Sequence, residues 1–167
     1  MIFTATAAGL LDIDGAKVRC ALGPAGVVPA AAKREGDGAS PAGTWPIREV
    51  LYRPDRGPPP ATEFRVRAMA ADDGWCDDPT DPAYNRPVHL PYPASAEALW
   101  REDEAYDIVV TLGHNDNPVV PGAGSAIFLH IAKPGYPPTQ GCVAVSREHL
   151  ERLLDIAKPG DAIEIRA

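Results

Sequence analysis

The chain of 167 residues is long enough for one folded domain with a real core, and residues 1–167 are read as a single domain. Its hydrophobic content of 45% is ordinary for a globular protein. With 16 basic against 23 acidic side chains, a net charge of −7 and no dense basic patch, a nucleic-acid partner is excluded.

Nineteen prolines and fifteen glycines break up long helices and favour short strands joined by turns. Met1 to Ala7 reads as a strand, Asp12 to Gly15 as a turn with the D-G hairpin signal, and Lys17 to Leu22 as the returning strand. Cys20 alternates in phase with Val18 and Leu22, which assigns it to the core. A long loop carrying Lys33 to Gly43 follows. Trp45 to Tyr52 and Phe64 to Met69 are the next strands, with the proline-rich Asp55–Ala61 as a stiff connector. Asp72 to Arg86, with five aspartates and two prolines, reads as an irregular surface loop, pinned by Trp75 or forming a substrate lip whose acids face an amine. Its D-D-x-x-x-D-D run lacks the calcium-loop pattern, and Cys76 within it has no adjacent basic residue to activate it.

Ser95 to Asp103 has a serine N-cap and an early acid and predicts a short helix. Asp107 to Leu112 predicts a buried strand, followed by the polar turn Gly113 to Pro118. Near the end, Ser146 caps a helix whose stripe is Val145, Leu150, Leu153, Leu154 and Ala157; Pro159-Gly160 stops it, and Ala162 to Ile165 is a closing strand. The pattern predicts a mainly β protein, an antiparallel β-sandwich with two short helices packed on it. No segment is long and apolar enough to span a membrane.

Chemistry concentrates in Ser125 to Val145. Ala126 to His130 is a short apolar run ending in an imidazole, Lys133 to Gln140 is a proline- and glycine-rich loop, and Gly141-Cys142 opens the run Val143-Ala144-Val145. A histidine ending one strand and a cysteine starting the next can lie side by side. The imidazole can then take the thiol proton and make a nucleophile at neutral pH. Gly141 lets backbone approach a bound carbonyl, leaving the N–H groups of Gly141 and Cys142 to face an oxyanion. Thr139 can orient the imidazole or donate to substrate. The competing structural reading is a cysteine packed as a small apolar residue beside a histidine bonded to backbone. The rival base is His114, at the end of another strand. Three cysteines make no disulfide framework. There is no C-x-x-C pair and no zinc-type histidine spacing, so neither a metal nor an organic cofactor is expected.

The stretch Thr139-Gln140-Gly141-Cys142-Val143, downstream of a strand ending in His130, resembles the L,D-transpeptidase catalytic domain, the YkuD-like family. Lys33 to Trp45 resembles that family's glycine–Ser/Thr–Pro–x–Gly stretch through Gly36, Ser40, Pro41 and Gly43. The resemblance implies Cys142 as nucleophile, His130 as its base, and Thr139 and Gly141 at the hydroxyl and glycine positions. Gln140 stands where many members have a second histidine, and Ala144 where many have arginine or asparagine. Gln140, Tyr136, His114, Asn115, Trp75 and Lys33 are the expected substrate contacts. The implied substrates are peptidoglycan stem peptides, with carbapenem-type β-lactams as covalent inhibitors. Hydrolysis of the thioester and a wall-binding module without turnover are the alternative readings. The resemblance also implies the periplasm or cell envelope, whereas Met1 to Asp12 has no basic segment and is not read as a secretory signal, which leaves a role inside the cell open.

Overall fold

The computed structural model describes residues 1–167. Asp14 and Gly15 take φ of 51° and 83°, the left-handed pair that a two-residue hairpin turn needs. They join β2 (Leu10–Ile13) to β3 (Ala16–Ala21) antiparallel, with Leu11 opposite Val18. Strand β1 (Ile2–Thr6) folds back on β2, so the leader and the hairpin form a three-stranded start. Phe3, Ala5, Leu11, Ile13, Val18 and Cys20 all turn inward, at the alternation that period-2 patterning demands.

Strand β4 (Val27–Pro29) runs into a single 3-10 turn, Ala30–Ala32, ahead of the long β5 (Ser40–Tyr52). Next come β6 (Val66–Ala68), β7 (Asp73–Cys76), β8 (Pro87–His89) and β9 (Ala96–Ala98). They are followed by β10 (Ile108–Leu112), β11 (Phe128–Ile131), β12 (Val143–Val145), helix α1 (Arg147–Ile156) and β13 (Ala162–Arg166).

The protein is mainly β, but the expected antiparallel sandwich is corrected to a closed sheet plus a small second one. The main order is β10-β11-β12-β3-β2-β1-β13-β5, and β5 pairs again with β10. Closure depends on the length of β5. Its Gly43–Pro46 half pairs with β13, and its Ile47–Tyr52 half pairs with β10 across an irregularity between Val110 and Leu112. A strand that changes partners along its length turns a sheet corner, as a bulge does in a barrel. The sheet is also mixed: β1 with β13, and β11 with β12, run parallel. A parallel pair needs a crossover rather than a hairpin, and residues 132–142 supply it.

The second sheet has the order β8-β7-β9. It replaces two expectations. The Asp72–Arg86 loop begins as a strand, and Ser95–Asp103 is no helix, because Ala96–Ala98 pairs with Cys76–Gly74. The isolated helix was too short to stand against the open edge of β7, where ladder bonds and burial of Leu99 and Cys76 decide the outcome. One α-helix therefore remains. Ser146 accepts the His149 N–H at its start, Glu148 occupies the first turn, and Leu150, Leu153 and Leu154 are buried.

Two apolar clusters form. The larger joins the hairpin, β13 and α1; the smaller contains Leu51, Met69, Leu99, Tyr106, Phe128 and Cys142. Strands β11 and β12, with the Cys142 that leads into β12, divide their side chains between the two. Leu129, Ile131, Val143 and Val145 enter the large core, while Phe128 and Cys142 enter the small one. Each fully buried leucine or isoleucine contributes about 1.5–3 kcal/mol, so the larger cluster is a stiff base for the opposite face. The three cysteines are free and separate; Cys20 packs in the large core and Cys76 is fully buried.

Candidate active site

In the β11–β12 register, Leu129 is beside Val143 and His130 beside Ala144. Alternation then puts His130, Cys142 and Ala144 on one face, with sulfur and imidazole one strand across and one two-residue step apart. All three line a cavity of about 460 Å³. Ala144 offers only a methyl group opposite the ring, which leaves room for the imidazole.

Cys142 is 6% exposed. Its thiol donates to the Ala126 carbonyl at 3.2 Å, and the Phe128 N–H donates to the sulfur at 3.4 Å. Burial pushes the thiol up to about 12, with the charge of Glu97 adding to the rise and the Phe128 N–H opposing it. Gly141 is required twice over. Its φ is +123°, and a Cβ there would lie 2.7 Å from the Ala39 carbonyl oxygen. Thus the Lys33–Gly43 segment walls the approach to the nucleophile with backbone.

The Thr139 hydroxyl makes no hydrogen bond to the imidazole. Its hydroxyl donates to the Cys142 carbonyl at 2.7 Å and accepts the Gly141 N–H at 3.1 Å. This corrects the expectation of two free amide donors: the Gly141 N–H is taken by Thr139, whereas the Cys142 N–H has no protein acceptor.

His130 is 7% exposed, and its Nδ1 lies 2.9 Å from the Ile131 carbonyl. A carbonyl only accepts, so Nδ1 carries the proton and Nε2 keeps its lone pair. The Tyr106 ring meets the imidazole edge-on at 5.1 Å. Burial holds the imidazole down at about 4, with the Ile131 bond opposing it and Arg101 reinforcing it. Both shifts run in the direction that favours a neutral thiol and a neutral imidazole over an ion pair.

Of the expected substrate contacts, Gln140 lies on the cavity rim. Tyr136, at φ 56°, lies under the Arg19 guanidinium, 4.5 Å from ring centroid to carbon. Lys33 is 2% exposed, and its ammonium is closed on Asp37 at 2.6 Å and the Arg34 carbonyl. His114 packs edge-on against Trp45, held down at about 4 by burial and by Lys33. It does not line the cavity that holds the sulfur. Asn115 ties its own loop through Val120 and Gly124. Trp75 donates to Asn85 and packs behind Phe128.

Sequence reasoning missed the polar walls. Glu35, Asp77 and Glu97 line the cavity with Arg101, Lys133 and Tyr106. Tyr106 donates its hydroxyl to Glu97, whose carboxyl is raised by burial. Asp77 Oδ1 is buried without a protein partner. The acid-rich loop was a signal for Asp77. Glu97 was hidden inside the misread helix, and Tyr106 carried none.

No helix is long and apolar enough to cross a membrane. No curated protein and no solved structure matches the chain. The family model for the L,D-transpeptidase catalytic domain, YkuD, matches residues 9–165, which include both expected motifs and every strand of the cavity floor. On that match the chain belongs to the YkuD family of L,D-transpeptidase catalytic domains, which act on peptidoglycan.

Proposed function

We propose that residues 1–167 act as one catalytic domain that transfers a peptidoglycan stem-peptide acyl group through a Cys142 thioester. The observation that carries this reading is the placement of Cys142 and His130 on one face of adjacent strands, opening into one cavity. As Sγ attacks the donor carbonyl, His130 Nε2 takes the thiol proton. Burial favours the neutral form of both groups, so in this reading proton transfer accompanies attack rather than preceding it. The Cys142 N–H is the free backbone donor for the oxyanion, a contact typically worth about 3 kcal/mol. The tetrahedral adduct breaks its C–N bond, the imidazolium protonates the departing D-amino acid, and the thioester remains. An acceptor amine then attacks, His130 takes its proton, and the C–S bond breaks to return the thiol.

The cavity walls suit a diaminopimelate-like donor. Glu97, Asp77 and Glu35 supply acids for an ammonium; Arg101, held by Asp103 at 2.6 and 2.9 Å, and Lys133, 3.6 Å from the same carboxylate, supply the positive side for a carboxylate. An envelope location follows from that substrate.

The test is intact-mass analysis with a carbapenem and with stem peptides, with and without acceptor amine. We expect a covalent adduct that disappears in Cys142→Ala and a cross-linked product when acceptor is present. Product formed by water alone would redirect the reading to an L,D-carboxypeptidase. An adduct persisting in Cys142→Ala would overturn the nucleophile.

A further inference from the structure

Two residues outside the cavity, Tyr84 and Asn85, grip the segment that holds the sulfur. Both are buried, on the loop that joins β7 to β8. The Tyr84 hydroxyl accepts the Gly124 N–H at 3.0 Å, and Asn85 Oδ1 accepts the Ala126 N–H at 3.0 Å. Alternate amides of the lead-in to β11 are thereby fixed by consecutive side chains. Every side-chain polar atom of Asn85 is used: Oδ1 also accepts from Trp75 Nε1 at 2.9 Å, and Nδ2 donates to the His114 and Asn115 carbonyls at 3.1 and 2.7 Å.

What Asn85 holds is an unusual backbone. Ala126 has φ of 53°, a left-handed conformation that a residue with a Cβ avoids unless its surroundings impose it. In that conformation its carbonyl accepts the Cys142 S–H. A carbonyl oxygen facing sulfur favours S–H over the thiolate, because it bonds the neutral form and repels the anion.

We propose that Asn85 is a positioning residue for Cys142. Through the Ala126 peptide it keeps the resting thiol protonated and turned to the Ala126 carbonyl, until substrate in the cavity draws the S–H toward His130. This rests on Cys142 being the nucleophile, as argued above. No bond forms or breaks in the step; the S–H changes hydrogen-bond acceptor from a carbonyl oxygen to Nε2.

The S–H stretching band of Cys142 reads this hydrogen bond directly. It is isolated by subtracting the infrared spectrum of the matching Cys142→Ala protein. In the parent chain the band lies at the low frequency of a bonded thiol. In Asn85→Ala the freed Ala126 relaxes to negative φ and the band moves toward that of a free thiol. Adding Ala126→Gly, which tolerates positive φ without a tether, returns it. Carbapenem acylation falls roughly tenfold in Asn85→Ala and recovers in the double variant, since losing the fixed position of the sulfur outweighs the easier release of its proton. Asn85→Ser, too short to reach Ala126, carries the same expectation if the alanine variant does not fold. A merely structural role lowers stability and leaves the band where it was. A folded Asn85 variant with an unmoved band, or a shift that Ala126→Gly does not reverse, overturns the proposal. Failure of the catalytic reading looks different: the parent protein then forms no carbapenem adduct, while the band still responds to Asn85.

Discussion

The α-carbon of Gly141 faces the carbonyl of Ala39 so closely that a methyl group there would stand 2.7 Å from the oxygen. One residue precedes the candidate nucleophile; the other belongs to the distant motif before β5. Contact between them explains why the two stretches occur together in one chain: the second forms the wall against which the first is pressed. Gly141→Ala should therefore fail on two counts, left-handed backbone and overlap, at a cost of about 2–3 kcal/mol. For a chain of this size that lowers the melting temperature by about 4–12 °C. Calorimetry and carbapenem acylation check it together; a variant that melts and acylates like the parent would refute the contact.

Thr139 closes the turn from the other side, bonding both the Gly141 N–H and the Cys142 carbonyl. Thr139→Val removes both bonds at nearly constant volume. We expect a loss of about 1–2 kcal/mol and acylation slower by about tenfold, both restored by Thr139→Ser. Equal rates for valine and serine would show that the hydroxyl has no part in placing the nucleophile.

Stability should fall on mild acidification. His130 and His114 are both lowered by burial from 6.5 to about 4, with Arg101 adding at the first and Lys33 at the second. Between those values the unfolded chain binds a proton that the folded chain refuses. The stability is thus complete above about pH 6.5 and declines as pH falls toward 4, by about 3 kcal/mol for each buried imidazole at the limit. Melting curves from pH 7.5 to 4.5 should show this slope, and His114→Phe, which removes one of the two groups, should make it shallower. An unchanged slope in that variant would count against the burial argument.

The acid wall bears on donor choice. Glu97→Gln keeps an acceptor for the Tyr106 hydroxyl but removes the charge, and Asp77→Asn does the same at the unpartnered oxygen. Each should lower kcat/KM for an ammonium-bearing stem peptide by about tenfold to a hundredfold through KM. A donor with that ammonium acetylated should be nearly indifferent to either change. Equal losses with both donors would remove the carboxylates from substrate recognition.

Local signals identified the elements whose chemistry is local. D-G made the β2–β3 turn, short apolar runs bounded by turn residues made β10 and β11, and Ser146 with its leucine stripe made α1. The same signals failed at Ser95–Asp103, where an open edge of β7 outcompeted a weak helix, and at the sheet's closure, where β5 changes partners near Pro46 and Ile47.

From sequence alone, His130 and Cys142 could be placed at a strand end and a strand start, because a cysteine after Gly141 and a histidine closing an apolar run are patterns of neighbours. Their common face, the absence of Lys33, His114 and Trp75 from the cavity lining, and the entry of Glu97, Asp77 and Tyr106 into it were decided only by the tertiary structure. The physical reason is that side-chain direction follows from register, and burial from which elements happen to meet. Both depend on pairings between residues tens of positions apart, which no local pattern encodes.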